Sequence, residues 1–145
     1  MSKSRYQSGL HIRRKVLGDS YVDRRLADTS WLDADFQRFV TEVAWGSVWA
    51  RPELDLRTRS LITISILAAL GRNDELALHL RASRSTGADP KEIIEALLHV
   101  SVYAGIPAAN TAFQIARAEL LTAEDDPHLD RDQDPEPNPP EDTRR

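Results

Sequence analysis

An all-α fold follows from three features of the chain. Apolar residues recur at helical spacing through most of the first 122 positions. No stretch alternates apolar and polar residues as a half-buried strand would. Residues that stop and start helices punctuate the sequence, at Gly71, Gly87, Asp89-Pro90 and Gly105-Ile106-Pro107. The expected architecture is a bundle of about six helices in one domain, residues 1–122, followed by an acidic, proline-rich tail, residues 123–145.

A first helical segment is expected near Tyr6–Val16, and Ser20 can cap a short helix through about Leu26. Asp33 can cap the next helix, where Phe36, Phe39, Val40 and Val43 have the i, i+3, i+4, i+7 spacing of one buried face. Pro52 ends it. From about Arg57 to Leu70 the sequence is apolar nearly all round, so this helix is expected at the centre, with Gly71 as its C-terminal cap. Asn73 is expected to cap a helix that stops at Gly87. Asp89-Pro90-Lys91-Glu92 then combines an N-cap, a first-turn proline and a reciprocal glutamate. That helix runs to about Ala104, and Pro107 opens the last one, through Leu121.

The length of 145 residues fits one domain with a real core. The absence of cysteine excludes disulfides, thiolate metal sites and thiol nucleophiles. The longest apolar run, Leu61 to Leu70, is interrupted by Thr63 and Ser65 and is too short to span a bilayer. No apolar signal segment follows the basic start, so a cytoplasmic protein is expected. The net charge of −4 is unevenly spread, with nine acidic residues against three Arg after position 122. That tail also holds five of the eight prolines and reads as disordered. The remaining body is near neutral, without the basic stripe of a nucleic-acid binder.

Ionisable residues beside apolar sequence are the candidates for chemistry, because a charge near a core is costly unless paired or used. Glu75 and His79 are four apart and share a helix face, with His79 at the edge of the Leu76, Leu80, Ser83 stripe. This pair reads either as a satisfied core histidine or as part of a site. Two side chains do not make a metal centre. Glu42 lies near Trp45 and Trp49 and reads either as an acid in an apolar setting or as a surface partner of Arg38. Arg57 and Arg59 open the apolar helix and Arg72 follows Gly71; a guanidinium there can clamp a carboxylate or pair within the bundle. Tyr103 and Asn110 flank the Gly105–Pro107 break.

Four segments, in order and at matching spacing, resemble the carboxymuconolactone decarboxylase family. They are Glu42-Val43-Ala44-Trp45-Gly46, Arg51 to Leu61, Glu75-Leu76 with His79, and Tyr103-Ala104-Gly105-Ile106-Pro107-Ala108-Ala109-Asn110. The resemblance covers roughly residues 5–121 and omits the tail. It implies the alkyl hydroperoxidase D-like helical fold, assembled as a symmetric homo-oligomer, trimer or hexamer. The peroxidase branch of that fold carries Cys-x-x-Cys before the histidine. Aligned on His79, those positions here hold Arg72 and Glu75, so thiol peroxidase chemistry is absent.

The resemblance further implies cofactor-free decarboxylation of 4-carboxymuconolactone to 4-oxoadipate enol-lactone, a step of protocatechuate breakdown. The ligand would then be a small lactone dicarboxylate, with no metal, no nucleic acid and no membrane. On this reading His79 donates to the oxyanion or supplies the proton, Glu75 orients it, and Glu42 is the competing acid. Arg57 and Arg72 are the candidates for the acetate carboxylate, Trp45 and Tyr103 wall the pocket, Asn110 lies beside it, and Arg59 is structural. A family member acting on another lactone or β-keto acid, and a non-catalytic helical assembly protein, are the alternatives.

Overall fold

The computed structural model describes residues 4–122 and Asp125. The expectation of a disordered tail therefore lies almost wholly outside the described residues. Those described form seven helices and no strand. The first is α1 (Arg5–Leu17), held by a Ser4/Gln7 capping box. Gly18, at φ 88°, stops it and is at once the N-cap of α2 (Asp19–Ala27). Ser20 thus lies inside the first turn of α2 rather than capping it. Arg14 ties the two helices together through Asp19 at 3.1 Å and Asp23 at 2.6 Å.

The third helix, α3 (Ala34–Phe39), does not continue as an α-helix. From Val40 to Trp49 the backbone is π-helical. Its last turn closes with the Ala50 N–H donating to the Trp45 carbonyl, five residues back, at 2.9 Å. A π turn takes up more residues than the roughly 3.6 of an α-helix. The buried face therefore recurs at every fourth residue: Thr41, Trp45 and Trp49. This overturns the expected Phe36/Phe39/Val40/Val43 face. Phe36 and Phe39 are 62% and 59% exposed, and Gln37 is buried instead. Asp33 occupies the N-cap position of α3, but its carboxylate accepts from the N–H and hydroxyl of Ser30, not from the helix. The segment stops at Trp49, before Pro52 is reached.

Four further helices follow: α4 (Leu56–Leu70), α5 (Asn73–Thr86), α6 (Pro90–Tyr103) and α7 (Ile106–Leu120). Asp55 caps α4 by accepting from the Thr58 N–H at 2.7 Å. Gly71 and Gly87 end α4 and α5 in the left-handed conformation. Arg72, not Asn73, takes the N-cap position of α5, and Asn73 is its first helical residue. The Asp89/Glu92 capping box forms as the sequence predicts. Glu92 also accepts from Arg57 Nε at 2.8 Å, fastening the start of α4 to the start of α6.

Helices α4 to α7 enclose one core, with Ile64, Leu76, Leu80, Ile93 and Leu97 essentially inaccessible. A second cluster, Val16, Trp45, Trp49 and Ala82, joins α1 and the π segment to the outer face of α5. Central placement of α4 holds for Ser60, Ile64 and Ala68, with Leu61 and Leu67 half-buried against the same core. Ile62, Ile66 and Leu70 leave an apolar stripe exposed.

The α1 and π backbones cross at two glycines. A Cβ on Gly9 would collide with the Thr41 carbonyl, and one on Gly46 would lie 2.5 Å from the Arg5 carbonyl. Beside this crossing the buried guanidinium of Arg13 donates to Thr41 Oγ1 at 3.1 Å and Gln37 Oε1 at 3.2 Å. Gly9→Ala should therefore destabilise the protein by about 1–3 kcal/mol, the usual cost of overpacking. Urea unfolding checks this, and a midpoint equal to the parent's contradicts so close a crossing.

Candidate active site

His79 lies on α5 where the π segment packs over it. Its ring faces Trp45 with centroids 6.4 Å apart and planes inclined by 13°. Trp49 lies 6.0 Å from it, inclined by 18°. The two indoles stack on each other at 5.0 Å. Three near-parallel rings thus form one cluster, with Trp45 and Trp49 four residues apart on the buried face of the π segment. Both are buried, at 5% and 8% exposure.

This setting decides the charge of His79. Burial disfavours the cation and pushes its pKa down to about 4, while the nearby Glu75 carboxylate pulls weakly the other way. The imidazole is therefore neutral at pH 7. Its Nδ1 is buried without a hydrogen-bond partner. A neutral imidazole carries one donor and one acceptor nitrogen, so it can stabilise developing oxyanion charge without carrying charge itself.

The other sequence candidates divide by position. Glu75 is exposed on α5, one turn before His79, and Arg72 is exposed at that helix's N-cap. Glu42 sits one residue off the Thr41/Trp45/Trp49 face, and its half-buried carboxylate accepts from Arg38 Nε at 3.1 Å. Arg57 is engaged with Glu92, although its neighbour Leu56 packs against the Trp45/Trp49 cluster. Arg59 donates to the Arg51 carbonyl at 3.1 Å, closing the loop before α4, and its Nε is buried without a hydrogen-bond partner. Tyr103 is 86% exposed and stacks on His99 at 6.2 Å. Asn110 lines a groove of about 420 Å³ between α6 and α7 with Ile93, Leu97 and Phe113.

The structure thus unites His79 with Trp45 and adds Trp49, while Arg13 supports the π segment through Thr41 and Gln37. Sequence reasoning noticed Trp49 without giving it a role, and the four-residue Trp spacing was the available signal. Arg13 left no signal, since nothing in the sequence distinguishes it from the exposed bases of α1.

Among the described residues no three His, Asp or Glu side chains gather as a metal-binding cluster, and no helix is long and apolar enough to cross a membrane.

The model of the carboxymuconolactone decarboxylase family matches residues 34–118. The chain belongs to the carboxymuconolactone decarboxylase family. The match begins at α3 and spans the π segment, His79 and the core helices, leaving α1 and α2 outside. A 4-carboxymuconolactone decarboxylase of Acinetobacter baylyi is 48% identical over 114 residues, 79% of this chain and 85% of that protein. A nitrosuccinic acid decarboxylase of Metarhizium robertsii is 36% identical over 115 residues, 79% of this chain and 80% of that protein. A short 4-carboxymuconolactone decarboxylase sequence of Pseudomonas putida is 43% identical over 44 residues, 30% of this chain and 92% of that sequence. The all-helical fold expected from the resemblance is the one observed.

The burial of His79 has a consequence for stability with a definite sign. Above about pH 6.5 folded and unfolded chains both hold His79 neutral; between there and about pH 4 only the unfolded chain takes up the proton. Stability should fall as the pH is lowered through this window, and His79→Phe should remove that part of the dependence. An NMR titration of the native imidazole should show a midpoint near 4. A midpoint near 6.5 would mean that water reaches the ring.

Proposed function

We propose that this protein decarboxylates 4-carboxymuconolactone to 4-oxoadipate enol-lactone and CO2 without a cofactor. The observation that carries the proposal is the neutral, ring-stacked His79, in a chain 48% identical to a decarboxylase of that lactone. The substrate is a butenolide whose ring carbon bears a carboxylate and an acetate arm. As the bond to CO2 breaks, its electron pair forms a new ring double bond, and the original double bond shifts toward the lactone carbonyl. The resulting dienolate carries its charge on that carbonyl oxygen. A proton added to the adjacent carbon gives the enol-lactone. The substrate is its own electron sink, so the protein need only stabilise the oxyanion, hold the carboxylates and deliver a proton.

In this scheme the His79 N–H donates to the lactone oxygen. A neutral donor suits the role, since its pKa of about 4 leaves little imidazolium to act as a proton source at pH 7. Glu42, whose side chain remains 32% exposed, relays the proton from solvent after release from Arg38. Glu75 biases the tautomer of His79. Trp45 floors the site and keeps water from the departing CO2. Arg72, seven residues before His79 and thus about 10 Å along the helix axis, meets the acetate carboxylate. Arg57 would have to give up Glu92 to do so and is assigned to the α4–α6 link. The protein works as a cytoplasmic homo-oligomer, and the exposed stripes at Ile62, Ile66 and Leu70 on α4 and Ile94, Leu98 and Val102 on α6 support the assembly.

Loss of lactone absorbance with stoichiometric CO2 release tests the proposal, with nitrosuccinic acid as the competing substrate. Preferred turnover of nitrosuccinic acid, or no turnover of the lactone, overturns it. His79→Ala and Glu42→Gln should each lower kcat by about two to four orders of magnitude while remaining folded. A variant His79→Ala with parental kcat and a much lower melting temperature makes the histidine a packing residue.

Carboxylate capture separates the two arginines. Arg72→Lys should raise KM more than it lowers kcat, because lysine lacks the fork geometry and the lost binding is common to ground and transition states. Arg57→Lys should lower stability and leave KM unchanged. The reverse pattern moves the clamp to Arg57.

A further inference from the structure

We infer that Trp49 is a positioning residue for His79, setting the direction of its N–H toward the substrate by stacking rather than by hydrogen bonding. The inference rests on the reading of His79 as the oxyanion donor. A working histidine is usually oriented by a hydrogen bond at its other ring nitrogen, to a carboxylate or a backbone carbonyl. His79 has no such bond at Nδ1, which is buried and unpartnered. Glu75, one turn earlier on the same helix, acts on it through charge alone. The orientation of the ring must then come from what packs against it. Trp45 and Trp49 lie within 18° of its plane, and Trp49 is the closer, at 6.0 Å.

Trp49 also backs Trp45, at 5.0 Å and 28°. It therefore lies against both members of the proposed site. Its position is fixed by the end of the π segment, where the Ala50 N–H returns to the Trp45 carbonyl at 2.9 Å. The π geometry, the indole pair and the unbonded imidazole are thus parts of one arrangement. Trp49 touches His79 but needs no contact with the lactone.

The test compares Trp49→Phe, Trp49→Leu and Trp49→Ala in the full-length protein, with two independent readouts. The first is the His79 titration by NMR, which needs no turnover. In Trp49→Ala its midpoint should rise from about 4 toward 6.5 by at least about one pH unit, as water reaches the ring. The second is steady-state decarboxylation. There kcat should fall by about tenfold or more with KM changed less than about threefold, as for lost orientation rather than lost binding. Trp49→Phe keeps a flat ring and should recover most of both properties. Trp49→Leu keeps bulk without a ring, so its His79 midpoint should stay near 4 while kcat falls as in Trp49→Ala, and it decides the matter if Trp49→Ala does not fold. A folded Trp49→Leu with parental kcat overturns the inference. If the parent does not turn over the lactone, the proposed reaction fails, and the positioning of His79 is then decided by its ring orientation in Trp49→Leu, read from NMR contacts of the ring protons: a changed orientation upholds it and an unchanged one overturns it.

Discussion

Where α1 passes the π segment, the backbone at Gly9 comes so near the Thr41 carbonyl that a methyl group has no room between them. Gly46 faces the Arg5 carbonyl in the same way. Two helices this close leave little freedom for either to rotate, and interiors packed to such density transmit small displacements. Arg13 locks the register. Its guanidinium is buried with two neutral oxygen acceptors, Thr41 and Gln37, and no carboxylate. Burial pushes its pKa down, though an arginine stays charged throughout the physiological range. Losing either acceptor would strand part of a buried cation, so the network strongly favours one arrangement of α1 over the π turns.

That arrangement determines the chemistry of α5. The π segment presents Thr41 to Arg13 at one end and Trp45 and Trp49 to His79 along the same face. The indoles remove water from the imidazole, and desolvation outweighs the attraction of Glu75. What results is an uncharged donor in an apolar wall. Such a group gains strength as a hydrogen-bond partner from its low-dielectric surroundings and needs no counter-ion there. The family match starts at α3, so the helix that holds the π segment in place lies outside the matched region while acting directly on its site.

Much of the bundle was legible because its boundaries are written in local chemistry. Gly71, Gly87 and the Asp89-Pro90-Glu92 box act within a turn or two, and each ends or starts a helix where the sequence says it should. Ser20 and Asn73 misled because Gly18 and Arg72 reached the cap positions first. The π segment was illegible for a deeper reason. Hydrophobic periodicity presumes a fixed period, and Phe36, Phe39, Val40 and Val43 satisfy the α-helical one. The wider turn obeys long-range packing on α1, which spacing along one helix does not encode. His79 was visible as an ionisable residue on an apolar stripe, but its freedom from hydrogen bonding at Nδ1 and its indole partners arise only in three dimensions. Glu42 pairs with Arg38 at the i, i+4 spacing that the sequence offered as one of its two readings.

The central claim is that the lactone carbonyl meets His79 against the Trp45–Trp49 wall. A crystal structure of the Glu42→Gln variant soaked with 4-carboxymuconolactone tests it most directly. The account predicts the lactone ring lying on the indole cluster, with its carbonyl oxygen within hydrogen-bonding distance of the His79 imidazole, about 2.7–3.1 Å. A lactone bound in the groove between α6 and α7, or anywhere without contact to His79, would contradict it.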